Sequence, residues 1–109
     1  MNTKTYTVTE AKRKIEQYCV YQDRCHKEVR SKLLDLGIFG FDLEDIIASL
    51  IEENFLNEER FAQSFVRGKF RMKQWGKRKI EQELKKKDIP PYCMRKGFEE
   101  IEEEEYWQA

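Results

Sequence analysis

Apolar residues recur along this chain with the period of an α-helix, in six short runs divided by turn-forming residues. Thr7 followed by Glu10 has capping-box spacing, and Ala11, Ile15, Tyr18 and Cys19 share a face, which predicts a first helix from Val8 to Gln22. Val29, Leu33 and Leu36 predict a second from His26 to Leu36, with Gly37 placed to close it in a left-handed conformation. Leu43, Ile46, Ile47, Leu50 and Ile51 form the cleanest stripe, with Asp42 as its expected cap. Asn57 is the expected cap of a fourth helix that has Glu58 and Glu59 in its first turn and Phe61, Ala62, Phe65 and Val66 on its buried side. Gly76 interrupts the pattern, and Ile80 and Leu84 then define a fifth helix ending in Lys85-Lys86-Lys87. Pro90-Pro91 separates it from a sixth, with Met94, Phe98 and Ile101 inward and Glu102 to Glu105 running into solvent. The β-prone piece from Ile38 to Phe41 falls between helices and is read as a turn, so the predicted class is all-α.

Shifting the chain by 51 residues against itself restores the apolar register. Ala11 then overlies Ala62, Ile15 overlies Val66 and Cys19 overlies Phe70. Val29, Leu33, Ile38, Leu43, Ile47, Leu50 and Phe55 likewise overlie Ile80, Leu84, Ile89, Met94, Phe98, Ile101 and Tyr106. Few of these pairs are identical, so the repeat is one of helical register. It predicts two tandem three-helix units, residues 7–57 and 58–109, each needing a neighbour to cover its apolar face.

With 109 residues, the chain can bury only a modest core. At 39% charged residues it is expected to form well-solvated helices around that core. No apolar run reaches the length of a membrane span, and the first nine residues lack the apolar stretch of a secretory signal, so a cytoplasmic location without a membrane partner is expected. Cys19, Cys25 and Cys93 cannot all pair within one chain and are read as reduced thiols. The net charge of zero conceals four blocks: +4 over residues 1–34, −8 over 35–59, +10 over 60–97 and −6 over 98–109.

A single histidine, His26, no glycine-rich phosphate loop and no nucleophile motif argue against an enzyme. The six-residue separation of Cys19 and Cys25 is not a usual zinc spacing, and the thiols are better read as small apolar residues. The linear acidic run Glu99 to Glu105 is read as a solvated face or a mimic of a polyanion, because metal ligation needs convergent carboxylates. No cofactor or metal is expected. The informative stretch is Arg67 to Lys79, where cations alternate with Phe70 and Trp75. Such a surface suits a polyanion, with Arg67, Arg71, Lys73, Lys77 and Arg78 as phosphate contacts, and it equally suits an acidic protein groove. The plainer reading of the cations is a solvated helix face, and of the two aromatics, core packing.

Three segments in order resemble the RecX family of recombinase regulators. They are Asp23 to Leu33, Leu50 to Ala62, and Arg60 to Arg67 continued by Lys73 to Ile80 and Glu83-Leu84. The resemblance implies tandem three-helix repeats, usually three, forming an elongated, curved molecule that lies in the groove of the RecA filament on DNA. It implies inhibition of strand exchange, of the filament's ATP hydrolysis and of its coprotease activity. By position it carries over Arg67, Arg71, Lys73, Trp75, Lys77 and Arg78 as filament or DNA contacts, with Arg24 and Lys27 at the equivalent turn of the first unit and Gly76 as a structural turn residue. The chain departs from the family pattern at Lys77, where proline is frequent. A third repeat would begin where the sequence stops, so a shortened form of a longer protein is expected, with an apolar face near Tyr106 and Trp107 left open to self-association.

The leading expectation is a non-enzymatic modulator of a recombinase filament whose partners are RecA and single- or double-stranded DNA. The alternative is a stand-alone helical nucleic-acid-binding protein in which Trp75 stacks on bases. A protein-recognition adaptor is the third reading.

Overall fold

A computed structural model describes residues 6–104 and contains six helices: α1 (Val8–Tyr21), α2 (His26–Asp35), α3 (Gly40–Glu52), α4 (Glu58–Arg71), α5 (Lys77–Lys86) and α6 (Pro91–Glu104). No strand occurs among the described residues. The chain divides into two compact units at the Asn57–Glu58 junction. The aromatic pair Tyr106 and Trp107 lies outside the described residues, as do the side chains of Glu102 to Glu105.

In the first unit α1 starts where its sequence predicts. The Thr7 hydroxyl accepts from the Glu10 N–H at 3.1 Å, and the Glu10 carboxylate accepts from the Thr7 N–H at 3.0 Å, so each residue satisfies an otherwise unpaired donor of the other. α2 ends at Leu36, and Gly37 takes φ +87°. The Ile38 N–H then reaches back to the Leu33 carbonyl at 2.9 Å, closing the helix and burying Ile38. α3 begins at Gly40 rather than after Asp42. Its N-cap, Phe39, makes no side-chain cap, and Asp42 lies in the first turn, where its carboxylate still opposes the positive helix end. The core joins Ala11, Ile15, Val29, Leu33, Leu43, Ile46, Ile47 and Leu50, with Leu56 covering one end.

The second unit repeats this construction, and the displacement from His26 to Lys77, 51 residues, superposes α2 on α5 to the residue. α5 closes as α2 does, with the Ile89 N–H donating to the Leu84 carbonyl at 3.1 Å and Ile89 buried. Here the left-handed residue is Asp88, at φ +60°, in the position Gly37 occupies earlier. Pro91 opens α6, where its missing N–H costs nothing. The core comprises Phe61, Ala62, Val66, Ile80, Leu84, Ile89, Met94, Phe98 and Ile101.

The two units differ in how closely their first and third helices approach. α4 and α6 pack along a long, tight contact, whereas α1 and α3 meet only briefly. A Cβ placed on Gly97 of α6 would lie 2.8 Å from the carbonyl oxygen of Ala62 on α4. The position equivalent to Gly97 in the first unit is Ile46, which is buried in that unit's core. At Cys19 and Phe70 the repeat also loosens, since Cys19 is buried and Phe70 only half-buried.

Candidate functional site

The cationic residues singled out by sequence gather around the α4–α5 connection. α4 exposes Arg71 at its end, Lys73 lies in the connecting turn, and Lys77 and Arg78 open α5, all four exposed. Arg67 lies half-buried on α4. The last turn of α4 carries Lys69 and Arg71, whose charges favour the negative helix end. From Arg60 to Ile80 no carboxylate interrupts the sequence, so the connection itself carries cations alone, and Glu81 is the first acidic residue to follow on α5.

Trp75 organises the turn. Its main-chain N–H donates to the Lys69 carbonyl at 3.0 Å, satisfying one of the carbonyls left open at the end of α4. Its half-buried ring meets Phe65 edge to face at 6.5 Å, and Phe65 stacks on Phe61 at 5.6 Å. The Lys69 and Lys79 ammonium groups lie 4.9 Å and 4.5 Å from the centre of the Trp75 ring. Neither lysine was among the residues selected by sequence. The spacings Phe65–Lys69 and Trp75–Lys79 are both i, i+4, the one signal that would have found them.

Gly76 stands at the turn as the N-cap of α5, with φ −76° and open space where a Cβ would be. That backbone is open to any residue. The left-handed residue of this turn is Gln74, at φ +58°.

In the first unit Arg24 and Lys27 occupy the corresponding α1–α2 connection. Arg24 is half-buried, with its guanidinium 3.6 Å from the centre of the Tyr18 ring and its Nε donating to the Tyr18 carbonyl at 2.9 Å. Lys27 is exposed on α2.

Groups suited to catalysis do not converge here. An open cleft of about 310 Å³ between α5 and α6 has Met94, Phe98 and Pro91 as its floor and Lys77, Glu81 and Arg95 at its rim. Lys77 lies 5.2 Å from the Phe98 ring. Cys19 and Cys25 are buried, and Cys93 is half-buried with its thiol pushed up by burial and by the charges of Glu58 and Glu59, which disfavours the nucleophilic thiolate. Among the described residues no three His, Cys, Asp or Glu side chains group as metal ligands, and no helix is long and apolar enough to cross a membrane.

Comparison with known proteins finds relatives of this chain. Residues 57–97 match the family model described as RecX, second three-helix domain. The regulatory protein RecX of Lactobacillus johnsonii is 32% identical over 92 residues, covering 84% of this chain and 34% of that protein. The regulatory protein RecX of Lactococcus lactis subsp. cremoris is 33% identical over 89 residues, covering 81% of this chain and 33% of that protein. The crystal structure of RecX from Lactobacillus salivarius superposes with a TM-score of 0.77 at 28% identity, covering 86% of this chain and 61% of that one. The chain belongs to the RecX family. It spans about a third of the length of these two curated RecX relatives. Arg67, Arg71, Lys73, Trp75, Lys77 and Arg78 fall inside the RecX domain match, together with Lys69 and Lys79. Arg24 and Lys27 fall outside it.

Proposed function

We propose that this chain is a RecX-type regulator that docks on the RecA recombinase filament on DNA and restrains it, lowering strand exchange, ATP hydrolysis and coprotease activity. The observation that carries this reading is the cationic segment around the α4–α5 turn, uninterrupted by carboxylates over residues 60–80, in a domain of the RecX family. Arg67, Arg71, Lys73, Lys77 and Arg78 would reach acidic groove walls or DNA phosphates, and Arg24 and Lys27 would add a second contact from the first unit. Trp75 would shape the turn. A filament repeats its surface, so two weakly binding units tethered in one chain gain from effective concentration, and neither needs to bind tightly alone.

Co-sedimentation with preformed RecA filaments, with the same single strands lacking RecA as the comparison, tests the proposal. Preferential retention by filaments is expected. Equal retention by bare strands would replace it with a stand-alone helical nucleic-acid-binding protein, and no retention on either at low ionic strength would overturn both readings.

A further inference from the structure

Phe65 and Trp75 gather three lysines from separate parts of the second unit. Lys69 lies 5.3 Å from the centre of the Phe65 ring and 4.9 Å from that of Trp75. Lys79 lies 4.5 Å from Trp75, and Lys87 lies 6.0 Å from Phe65. Other lysines of this unit sit against carboxylates: Lys85 with Glu81, Lys86 with Glu83 and Lys96 with Glu99. Among the described residues Lys69 and Lys79 have no such partner.

An aromatic face attracts an ammonium group without neutralising it, and each ammonium keeps N–H donors to spare. The Trp75 ring therefore holds two ammonium groups, those of Lys69 and Lys79, that no carboxylate neutralises, a state that an incoming polyanion relieves. The first unit builds a related cluster, with Arg24 at 3.6 Å and Lys32 at 5.6 Å from the centre of the Tyr18 ring. Tyr18 and Arg24 are the repeat equivalents of Lys69 and Trp75, so the aromatic and the cation have exchanged places. Arg24 uses its Nε to satisfy the Tyr18 carbonyl. In the second unit the Trp75 main chain does that work for the Lys69 carbonyl, so neither the Lys69 nor the Lys79 ammonium group is drawn into it.

We infer that the Phe65–Trp75 cluster is a binding site for the phosphate backbone of a nucleic acid, contacted by Lys69 and Lys79 and flanked by Lys87. Trp75 acts as a positioning residue. Its ring is half-buried against Phe65 and already engaged by two ammonium groups, which makes it a poor platform for a base. A row of phosphates fits better than an acidic protein surface, because Arg71, Lys73, Lys77 and Arg78 belong to a segment, residues 60–80, that contains no carboxylate of its own for mixed ion pairing. The inference rests on the reading that the chain works on a filament containing DNA, and it names the recognition chemistry.

The test is fluorescence anisotropy with a labelled single strand and a base-free strand of equal length, across a salt series. The proteins are the parent, Lys69→Gln with Lys79→Gln, Trp75→Leu and Trp75→Phe, each checked for parental helicity. Both strands should bind the parent within about twofold of each other. The double lysine variant should flatten the log–log salt slope by about 1.4, from about 0.7 for each lost contact on a single strand. Trp75→Leu should weaken binding at unchanged slope, and Trp75→Phe should restore it. An unchanged slope in the double variant, lost binding to the base-free strand, or competition by polyglutamate as strong as by oligonucleotide would each overturn the inference. If Trp75→Leu loses helicity, the double lysine variant, which leaves both rings in place, decides alone. Strand binding through these lysines without filament binding would sink the filament reading and spare this one. Filament binding that persists with no strand effect from the double substitution would do the reverse.

Discussion

The guanidinium of Arg24 lies 3.6 Å from the centre of the Tyr18 ring while its Nε donates a 2.9 Å hydrogen bond to the carbonyl of the same residue. One side chain thus covers an aromatic face and closes a carbonyl at the end of α1. Arg24→Met should destabilise the first unit by about 1–3 kcal/mol, the usual cost of leaving a partly buried carbonyl without its donor, as read by urea denaturation. Arg24→Lys should recover little, because a single ammonium cannot stack and donate in that geometry together. Burial holds the Tyr18 phenol above its ordinary value of 10.0, and the Arg24 charge opposes that shift. The folded state therefore keeps a proton that the unfolded chain releases. This contribution is present below about pH 10 and is lost as pH rises through the folded value. Removing the Arg24 charge should move the phenol further up in a spectrophotometric titration.

Gly97 and Ala62 fix the spacing of α4 and α6. Gly97→Val should cost about 1–3 kcal/mol through overpacking, since the atom it meets is backbone and cannot turn aside. Gly68, also helical but with open space around it, gives the contrast. Gly68→Ala should stabilise by up to about 1 kcal/mol through helix propensity alone. Denaturation midpoints moving in opposite directions would verify the pair.

Arg30 on α2 grips both oxygens of Glu44 on α3, at 2.6 and 3.3 Å. The hydrogen bond from Arg30 holds the Glu44 carboxyl below its ordinary value of 4.5. A depressed folded value means that this pair's contribution is present above about pH 4.5 and fades as pH falls through the folded value. Side-chain NMR titration should find Glu44 shifted down, and Arg30→Gln should return it to the ordinary range.

Arg71 and Lys73 are exposed, so reversing their charge leaves the core untouched. Arg71→Glu with Lys73→Glu should lower filament affinity roughly tenfold or more, most strongly at low salt, with helicity unchanged. Unchanged co-sedimentation would remove this turn from the proposed interface.

The offset of 51 residues in the apolar pattern named most of the core in advance. Ala11 with Ala62, Leu33 with Leu84, Ile38 with Ile89 and Leu50 with Ile101 are all buried, because burial of a helix face follows from periodicity. The cap at Thr7 and the left-handed Gly37 were legible for the same reason, since both depend on neighbours a few residues away. The start of α3 was misjudged because Asp42 can serve either as a cap or in a first turn, and sequence does not choose between the two. Nor does local sequence announce that Asp88 and Gln74 take left-handed backbones, because the closing hydrogen bonds and the packing of Ile89 and Trp75 impose them.

By itself the sequence determined six helices, their inward faces and the cationic turn, all properties of residues within one or two helical turns of each other, and the repeat, which is that same local pattern occurring twice. Tertiary structure alone decided that Ala62 and Gly97 bring α4 against α6 while α1 and α3 meet only briefly. It also decided that Lys69 and Lys79 both contact one indole ring. The physical reason is that close approach and ring–cation contact depend on which atoms face each other across a turn or a helix pair. Periodicity fixes the face and leaves the opposing atom open.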